Sequence, residues 1–224
     1  MASNAPAAAA IKLRKVMTVS NIINQSIERI QFEGEFLEAF GKPQARGVWF
    51  VWGGSGSGKS SFIMRLSKAL ATMYPTLHNT LEEAEDDGDF IDRVEFFQMV
   101  DVQDNYHTAS YNYDQLMKYI AKKGSKKVII IDSLRYLTRS FDEYLKLKKL
   151  AEKKGKILIC VGFAKGTDPR SEFEYQVMHD AKMKVFVSGY LATCKGRTIG
   201  KNGGLFVIWK KGYEKIQGDN ATID

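Results

Sequence analysis

Eight consecutive residues, 53–60, have the types and the order needed to bind a phosphate chain. They read GGSGSGKS and match the pattern G-x-x-x-x-G-K-[ST] without interruption. The glycines permit positive φ angles and let phosphate oxygens approach the bare backbone, whose N–H groups form an anion-binding nest. Lys59 can reach the β- and γ-phosphates of a nucleotide, and the Ser60 hydroxyl can ligate Mg²⁺. The predicted nucleotide-binding residues are Gly53, Gly54, Ser55, Gly56, Ser57, Gly58, Lys59, Ser60 and Ser61.

The residues on either side supply the elements that hold such a loop in place. Residues 47–52, GVWFVW, form a short apolar run that is typical of a buried parallel strand. Residues 61–71 carry Phe62, Ile63 and Leu66 at helical spacing. This order places the loop at a helix N-terminus, where backbone N–H groups favour an anion. The context therefore favours a phosphate site over a Gly/Ser linker.

A second stretch has the composition of a metal-binding strand. Residues 128–132 read VIIID, so four apolar residues are followed by Asp132 at the carboxyl end of the predicted strand. Ligands bind beyond the carboxyl ends of the strands in open parallel sheets. We therefore expect Asp132 to hold Mg²⁺, directly or through water, opposite Ser60.

Predicted strands and helices alternate along the rest of the chain. The predicted helices are 112–123 and 141–154, and the predicted strands are 127–132, 156–163, 184–192 and 203–210. The last two strands follow each other closely and are expected to pair antiparallel. This pattern predicts a three-layer α/β domain with a mostly parallel sheet and antiparallel C-terminal strands.

The domain is expected to span residues 17–212. Residues 1–16 read as a flexible N-terminal tail and residues 213–224 as a C-terminal tail. Residues 17–40 carry apolar side chains for packing and suggest a helical lead-in, which Gly41-Lys42-Pro43 would end.

Composition narrows the class of protein. The 224 residues are 44% hydrophobic and 26% charged, as in globular proteins. No apolar run approaches the roughly 20 residues that a membrane span needs, and the start lacks a signal-peptide pattern, so we expect a cytoplasmic protein. Cys160 and Cys194 fall within strand-like runs and are expected to be buried, reduced thiols.

The charge balance favours a polyanionic partner. The formal net charge is +7 and the isoelectric point is near 9.2. Two basic clusters contribute to it: Lys122, Lys123, Lys126 and Lys127, and then Lys146, Lys148, Lys149, Lys153, Lys154 and Lys156. A solvated helix face is the alternative interpretation of both clusters.

From about residue 47 to residue 210 the chain resembles the RecA/RadA superfamily of ATPases. Residues 130–137, IIDSLRYL, are similar to the segment of that family that follows its metal-binding strand. Residues 79–84, NTLEEA, resemble the segment in which a strand leads into a glutamate that activates the attacking water. The resemblance implies that Glu82, or alternatively Glu83, is catalytic, and that ATP and Mg²⁺ are the ligands.

Two further segments carry the resemblance. Residues 164–174 resemble the mobile DNA-contacting loop of the family, with Lys165 and Arg170 as candidate phosphate contacts. Residues 193–200, TCKGRTIG, resemble the segment that reaches across to the ATP of a neighbouring subunit. The resemblance thus implies a ring or filament in which Lys195 and Arg197 would stabilise the transition state in trans.

One departure from the family concerns the end of the strand at 156–163. Family members usually place Gln or His there, and that side chain couples the γ-phosphate to the DNA loop; this chain has Phe163. The chain also resembles a minimal core of the family, such as a phage or a mobile element might encode.

These observations favour a Mg²⁺-dependent ATPase that acts on DNA as an oligomer, in recombination, repair, replication or transposition. An ATP-dependent assembly switch with little turnover is an alternative, which Phe163 favours. A small-molecule or nucleotide kinase is another, in which the stretch 166–175 would serve as a lid.

Overall fold

The computed structural model describes residue 13 and residues 15–217. Nine strands lie in this part of the chain: β1 (Gly47–Gly53), β2 (Thr76–Thr80), β3 (Tyr106–Ala109), β4 (Val128–Asp132), β5 (Ile157–Lys165), β6 (Asp168–Pro169), β7 (Met183–Ser188), β8 (Leu191–Cys194) and β9 (Leu205–Val207). The order across the sheet is β3-β2-β4-β5-β1-β7-β8-β9, and β6 pairs with the end of β5.

The strands from β3 to β7 in this order are all parallel, whereas β8 and β9 are antiparallel to their neighbours. The carboxyl ends of β1, β2, β4 and β5 therefore meet at one edge of the sheet, which we call the carboxyl edge. The opposite edge is called the amino edge. This arrangement confirms the prediction of a mostly parallel sheet with antiparallel C-terminal strands.

Helices cover both faces of the sheet. They are α1 (Val19–Ile23), α2 (Gly34–Phe40), α3 (Lys59–Ala71), α4 (Gly88–Phe96), α5 (Tyr113–Ala121), α6 (Leu134–Leu137), α7 (Phe141–Lys153), α8 (Glu172–Asp180) and α9 (Lys210–Gln217), with a 3₁₀ turn at Met99–Val102. None of the described helices is long and apolar enough to cross a lipid bilayer.

Strand β1 shows how the three layers are built. All seven of its residues are buried, and successive side chains point to opposite faces. Trp49 and Val51 pack in one core with α2 and α3. Val48, Phe50 and Trp52 pack in the other with α5, α7 and α8. A strand covered on both faces is apolar throughout, which is why the sequence run 47–52 does not alternate.

The predicted helical lead-in over 17–40 differs from the structure. Two short helices, α1 and α2, are joined by an extended segment, in which Ile30 is fully buried. The Ile30 N–H donates to the carbonyl of Pro43, so this segment is held by the residues that follow α2. The spacing of apolar residues in a sequence reports only local periodicity. It therefore could not predict that this segment is extended and held by Pro43.

The predicted tails lie only partly within the described residues. Helix α9 includes residues 213–217, which were predicted to belong to the C-terminal tail. Residues 218–224 lie outside the described part of the chain, as do residues 1–12 and residue 14 of the predicted N-terminal tail.

Candidate nucleotide-binding site

The Gly-rich loop leaves the carboxyl end of β1 and enters α3, as the sequence predicts. Gly56 and Gly58 have φ angles of 68° and 92°, which only glycine adopts without strain. Gly58 is the N-cap of α3, and no side chain caps this helix end. The first N–H groups of α3 are thus available to an anion, and Lys59 and Ser60 lie in the first turn.

Tyr190 holds the loop from the side of the β7–β8 turn. Its N–H donates to the carbonyl of Ser57 at 3.0 Å. A Cβ atom on Gly58 would lie only 2.8 Å from Cδ1 of Tyr190, so the glycine is needed for this close approach. The Tyr190 ring in turn meets the Trp209 ring edge-on, with 5.0 Å between the ring centroids. The loop is therefore supported by residues more than 130 positions away.

Asp132 reaches the same edge at the end of β4. Thr80 and Asp132 are paired in the register of β2 and β4. The Asp132 carbonyl accepts hydrogen bonds from the N–H groups of Leu81 at 2.6 Å and Glu82 at 3.1 Å. These bonds bring the chain after β2, and with it Glu82, next to the residue predicted to bind Mg²⁺.

The two adjacent glutamates differ in their surroundings. Both carboxylate oxygens of Glu83 accept from Arg93, at 2.6 and 3.0 Å, in a two-point ion pair. The Glu82 carboxylate has no such partner among the described residues. Partial loss of surrounding water raises the pKa of the Glu82 carboxyl, and the nearby Asp132 charge raises this pKa further while Lys59 lowers it. Of the two, Glu82 is the carboxylate without a basic partner among the described residues, and its backbone is hydrogen-bonded to Asp132.

His78 contacts Asp132 from the neighbouring strand. Its side chain is 4% exposed, and Nε2 lies 3.5 Å from Oδ2 of Asp132. The other ring nitrogen, Nδ1, is 2.8 Å from the hydroxyl of Tyr106 on β3. A histidine inside a strand gave no sequence signal for this contact, because the contact depends on β2 lying between β3 and β4.

Three buried polar atoms near the loop and Asp132 have no hydrogen-bond partner within the described residues: Ser57 Oγ, His78 Nε2 and Ser133 Oγ. Buried polar groups in native proteins are almost always paired, so such a group indicates a missing ligand or water. Ser57 belongs to the loop, whereas His78 and Ser133 flank Asp132. Because His78 Nε2 faces Oδ2 of Asp132, the two serine hydroxyls are the atoms that fit a polar ligand between the loop and the end of β4, as a nucleotide with Mg²⁺ would be.

Phe163 lies level with Gly53 in the register of β5 and β1. The Lys59 Nζ atom is 5.2 Å from the centroid of its ring, and the Arg135 guanidinium carbon is 5.6 Å from it. The ring of Phe163 thus contacts two cations at the position where the RecA/RadA superfamily usually has a polar side chain. Arg135 was not among the residues selected from the sequence.

The candidate DNA-contacting segment is not an open loop. Strand β5 continues to Lys165, turns through Gly166 and Thr167, and returns as β6. The indole Nε1–H of Trp52 donates to the Thr167 carbonyl at 2.9 Å, and α8 begins at residue 172. Lys165 and Arg170 are exposed on this hairpin at the carboxyl edge. The predicted mobile loop over 164–174 is therefore replaced by a hairpin and the start of a helix.

Lys195 and Arg197 lie far from the loop of their own chain. Strand β8 runs antiparallel to β7, so its end carries these residues back to the amino edge. The Lys195 and Arg197 N–H groups donate to the carbonyls of Lys184 and Lys182 at the start of β7. Both side chains are exposed. The structure does not bring them together with Lys59, Asp132 or Glu82 within one chain.

Comparison with solved structures finds the same architecture elsewhere. A KaiC-like protein from the hyperthermophilic archaeon Pyrococcus horikoshii OT3 superposes with a TM-score of 0.59 at 19% identity, covering 81% of this chain and 99% of its own. The flagellar accessory protein FlaH from Methanocaldococcus jannaschii gives 0.56 at 18% identity, covering 77% and 89%. No protein-family model and no curated protein matches the chain significantly.

These similarities agree with a mostly parallel sheet that ends in antiparallel C-terminal strands. They extend over nearly the whole length of the two neighbours, so the match covers a complete domain rather than a common βαβ fragment. The chain thus has the three-layer fold of the RecA-like P-loop ATPases.

Proposed function

We propose that the protein is a Mg²⁺-dependent ATPase that works as an oligomer and acts on DNA. The observation that carries the proposal is the meeting of four groups at the carboxyl edge. The Gly-rich loop with Lys59, the Asp132 carboxylate and the unpaired Glu82 carboxylate converge there, while the adjacent Glu83 is engaged by Arg93. This is the set of groups that phosphoryl transfer to water requires.

Each group has a separate role in the proposed reaction. The loop N–H groups bind the phosphates, and Lys59 stabilises the negative charge on the transferred phosphoryl oxygens. Glu82 orients a water molecule and accepts its proton, a role that a carboxylate with a raised pKa can fill near neutral pH. Ser60 and Asp132 would hold Mg²⁺, which when bound neutralises charge on the β- and γ-phosphates.

The position of Lys195 and Arg197 supports an oligomer. Exposed at the amino edge, they can reach a nucleotide only if a second copy presents its carboxyl edge to them. Arg197 also lines a surface cavity with Arg46 and Lys182, so this edge is strongly positive. A ring or filament in which ATP lies between copies would bring these cations to the phosphates of the neighbour.

The DNA part of the proposal rests on exposed charge near the nucleotide site. Lys165 and Arg170 are exposed on the β5–β6 hairpin, and the Arg170 N–H donates to the carbonyl of Phe163 at 2.8 Å. A phosphate backbone bound there would lie beside the ATP site. The basic residues around 122–127 and 153–156 lie instead at the amino edge, where Lys127 pairs with Glu28 and Lys154 donates to the Ala121 carbonyl.

The decisive experiment measures ATP hydrolysis with Mg²⁺, alone and with single- or double-stranded DNA. We expect turnover that DNA stimulates and that Lys59→Ala abolishes, while the matched control Lys146→Ala, an exposed lysine on α7, keeps wild-type turnover. Stimulation should require Lys165 and Arg170 but survive replacement of Lys122 and Lys123. Mass measurement with and without ATP then tests assembly. Turnover that ignores DNA would refute DNA action while leaving the ATPase proposal standing.

An ATP-dependent assembly switch is the second candidate, and two observations favour it. Phe163 places a ring without hydrogen-bonding groups beside Lys59, so this side chain cannot relay the state of the phosphate to the hairpin through a hydrogen bond. One structural neighbour is named a flagellar accessory protein, and an accessory role is compatible with this candidate. ATP binding that drives assembly with little hydrolysis would select this candidate. No observation favours the kinase, since its lid would have to come from the hairpin and α8.

A further inference from the structure

Arg135 occupies the carboxyl edge between Asp132 and the Gly-rich loop. It lies in α6, three residues after Asp132, and α6 follows the end of β4 directly. Strand β5 lies between β4 and β1, so Phe163 at its end faces both α6 and the loop. Arg135 is therefore on the side of the site at which the terminal phosphate of a nucleotide would lie next to Lys59.

The ring of Phe163 supports the two cations. Its centroid is 5.2 Å from Lys59 Nζ and 5.6 Å from the Arg135 guanidinium carbon, both within the range of cation–π attraction. The Phe163 backbone is held on both sides, because its N–H donates to the buried Glu174 at 3.0 Å and its carbonyl accepts from Arg170. The Tyr136 ring packs against it edge-on. The backbone that carries the ring is thus held on both sides, and the ring itself contacts Tyr136.

Neither cation has an anionic partner within the part of the chain that the structure describes. No carboxylate lies within 4.0 Å of Lys59 Nζ or of the Arg135 guanidinium, whereas Arg65 pairs with Glu35 and Arg93 with Glu83. Two cations without a close carboxylate make this side of the site positive, which favours an anion there. The Phe163 ring has no hydrogen-bond donor, so Lys59 and Arg135 supply the side-chain donors at this position, in addition to the N–H groups of the Gly-rich loop.

We propose that Arg135 binds the terminal phosphate of ATP from within the same chain, and that Phe163 positions it together with Lys59. The guanidinium is planar, always charged and able to bind two phosphate oxygens at once. A cation at this place distinguishes a triphosphate from a diphosphate and stabilises the charge of the transferred group. The inference rests on the proposed nucleotide site and adds a catalytic residue to it.

The test compares the affinities of ADP and of a non-hydrolysable ATP analogue, both with Mg²⁺, by calorimetry. Arg135→Gln is expected to weaken binding of the analogue at least about tenfold while changing ADP affinity by no more than about twofold, because ADP lacks the group that Arg135 contacts. Arg135→Lys should recover part of the loss. The control Arg139→Gln, at an exposed arginine beyond α6, should change neither affinity. Hydrolysis by Arg135→Gln should fall by about 10²–10³-fold.

The outcomes separate this inference from the proposed function. A wild-type protein that binds neither nucleotide refutes both. A wild-type protein that binds ATP, together with an Arg135→Gln variant that loses ADP and the analogue equally or loses neither, refutes the role of Arg135 alone. Mixing Lys59→Ala chains with Arg135→Gln chains tests the direction of action. Recovered hydrolysis would mean that Arg135 serves a neighbouring chain, which would overturn the assignment to its own site.

Discussion

Nε2 of His78 lies 3.5 Å from Oδ2 of Asp132, although the two residues are 54 positions apart in the sequence. The same imidazole contacts the Tyr106 hydroxyl through Nδ1 at 2.8 Å, so three adjacent strands form a line of polar groups behind the predicted metal ligand. His78 at the centre of this line is buried, and its contact restricts where the Asp132 carboxylate can point. Such partners of a metal ligand commonly set its orientation and affinity.

We expect His78→Phe to weaken Mg²⁺ binding more than it lowers kcat at saturating Mg²⁺. Phenylalanine fills the space of the imidazole without a nitrogen, so Asp132 would lose the group that orients it. The Mg²⁺ concentration for half-maximal hydrolysis should rise about 10-fold or more, with a smaller change in kcat at saturating Mg²⁺. Tyr106→Phe, which removes only the hydroxyl, should have a weaker effect of the same kind. A fall in kcat with unchanged Mg²⁺ dependence would contradict this role.

Replacing the two adjacent glutamates should give unequal effects. Glu82→Gln removes the carboxylate proposed to orient the attacking water, and hydrolysis should fall by about 10²–10⁴-fold. Glu83→Gln leaves that group in place and breaks the pair with Arg93, so hydrolysis should fall less while the melting temperature drops. Nucleotide affinity should be retained in Glu82→Gln. If Glu83→Gln is the less active variant, the assignment is reversed.

The two glycines that begin the loop provide a matched test of packing. An alanine Cβ at Gly53 would lie 2.5 Å from the Val187 carbonyl oxygen and 2.7 Å from Ser57 Oγ, whereas no atom lies within 4 Å of one at Gly54. Gly53→Ala should therefore lower the free energy of unfolding by about 1–3 kcal/mol. Gly54→Ala should change it by no more than about 0.5 kcal/mol. Denaturant titration of both variants measures the difference.

The raised pKa of Tyr144 should make the free energy of unfolding fall at alkaline pH. Burial raises its pKa in the folded state, and the nearby Cys160 and the bond to Asp180 raise it further, whereas an unfolded tyrosine titrates near pH 10. Below about pH 10 both states keep the proton. Above it the unfolded state releases the proton first, so the free energy of unfolding falls as the pH rises.

Above about pH 10, the free energy of unfolding of Tyr144→Phe should fall less steeply with pH than that of the wild type. The difference between the two slopes should correspond to close to one proton. At neutral pH the variant should lose about 1 kcal/mol, because Asp180 keeps its Lys148 partner but loses the tyrosine hydroxyl. Tyr175→Phe, at a tyrosine that is 40% exposed, controls for removal of a hydroxyl. Parallel alkaline slopes for wild type and Tyr144→Phe would show that Tyr144 does not carry the effect.

The sequence by itself determined the elements and motifs whose information is local. The run GGSGSGKS between an apolar strand and an amphipathic helix predicts a phosphate loop, and the structure has a loop at the end of β1 that enters α3. Asp132 could be located because an apolar run ending in a carboxylate marks the end of a buried strand. The α/β architecture followed from the alternation of strand and helix patterns, which depends on neighbours a few residues apart.

Only the tertiary structure decided which distant residues meet. The ion pair with Arg93 separates Glu83 from Glu82, and it depends on how α4 folds back toward β2. The contact of Arg135 and Lys59 with Phe163 depends on β5 lying between β4 and β1. Lys195 and Arg197 reach the amino edge because β8 reverses direction. Strand order and strand direction are set by packing of the whole sheet, and no local period in the sequence encodes them.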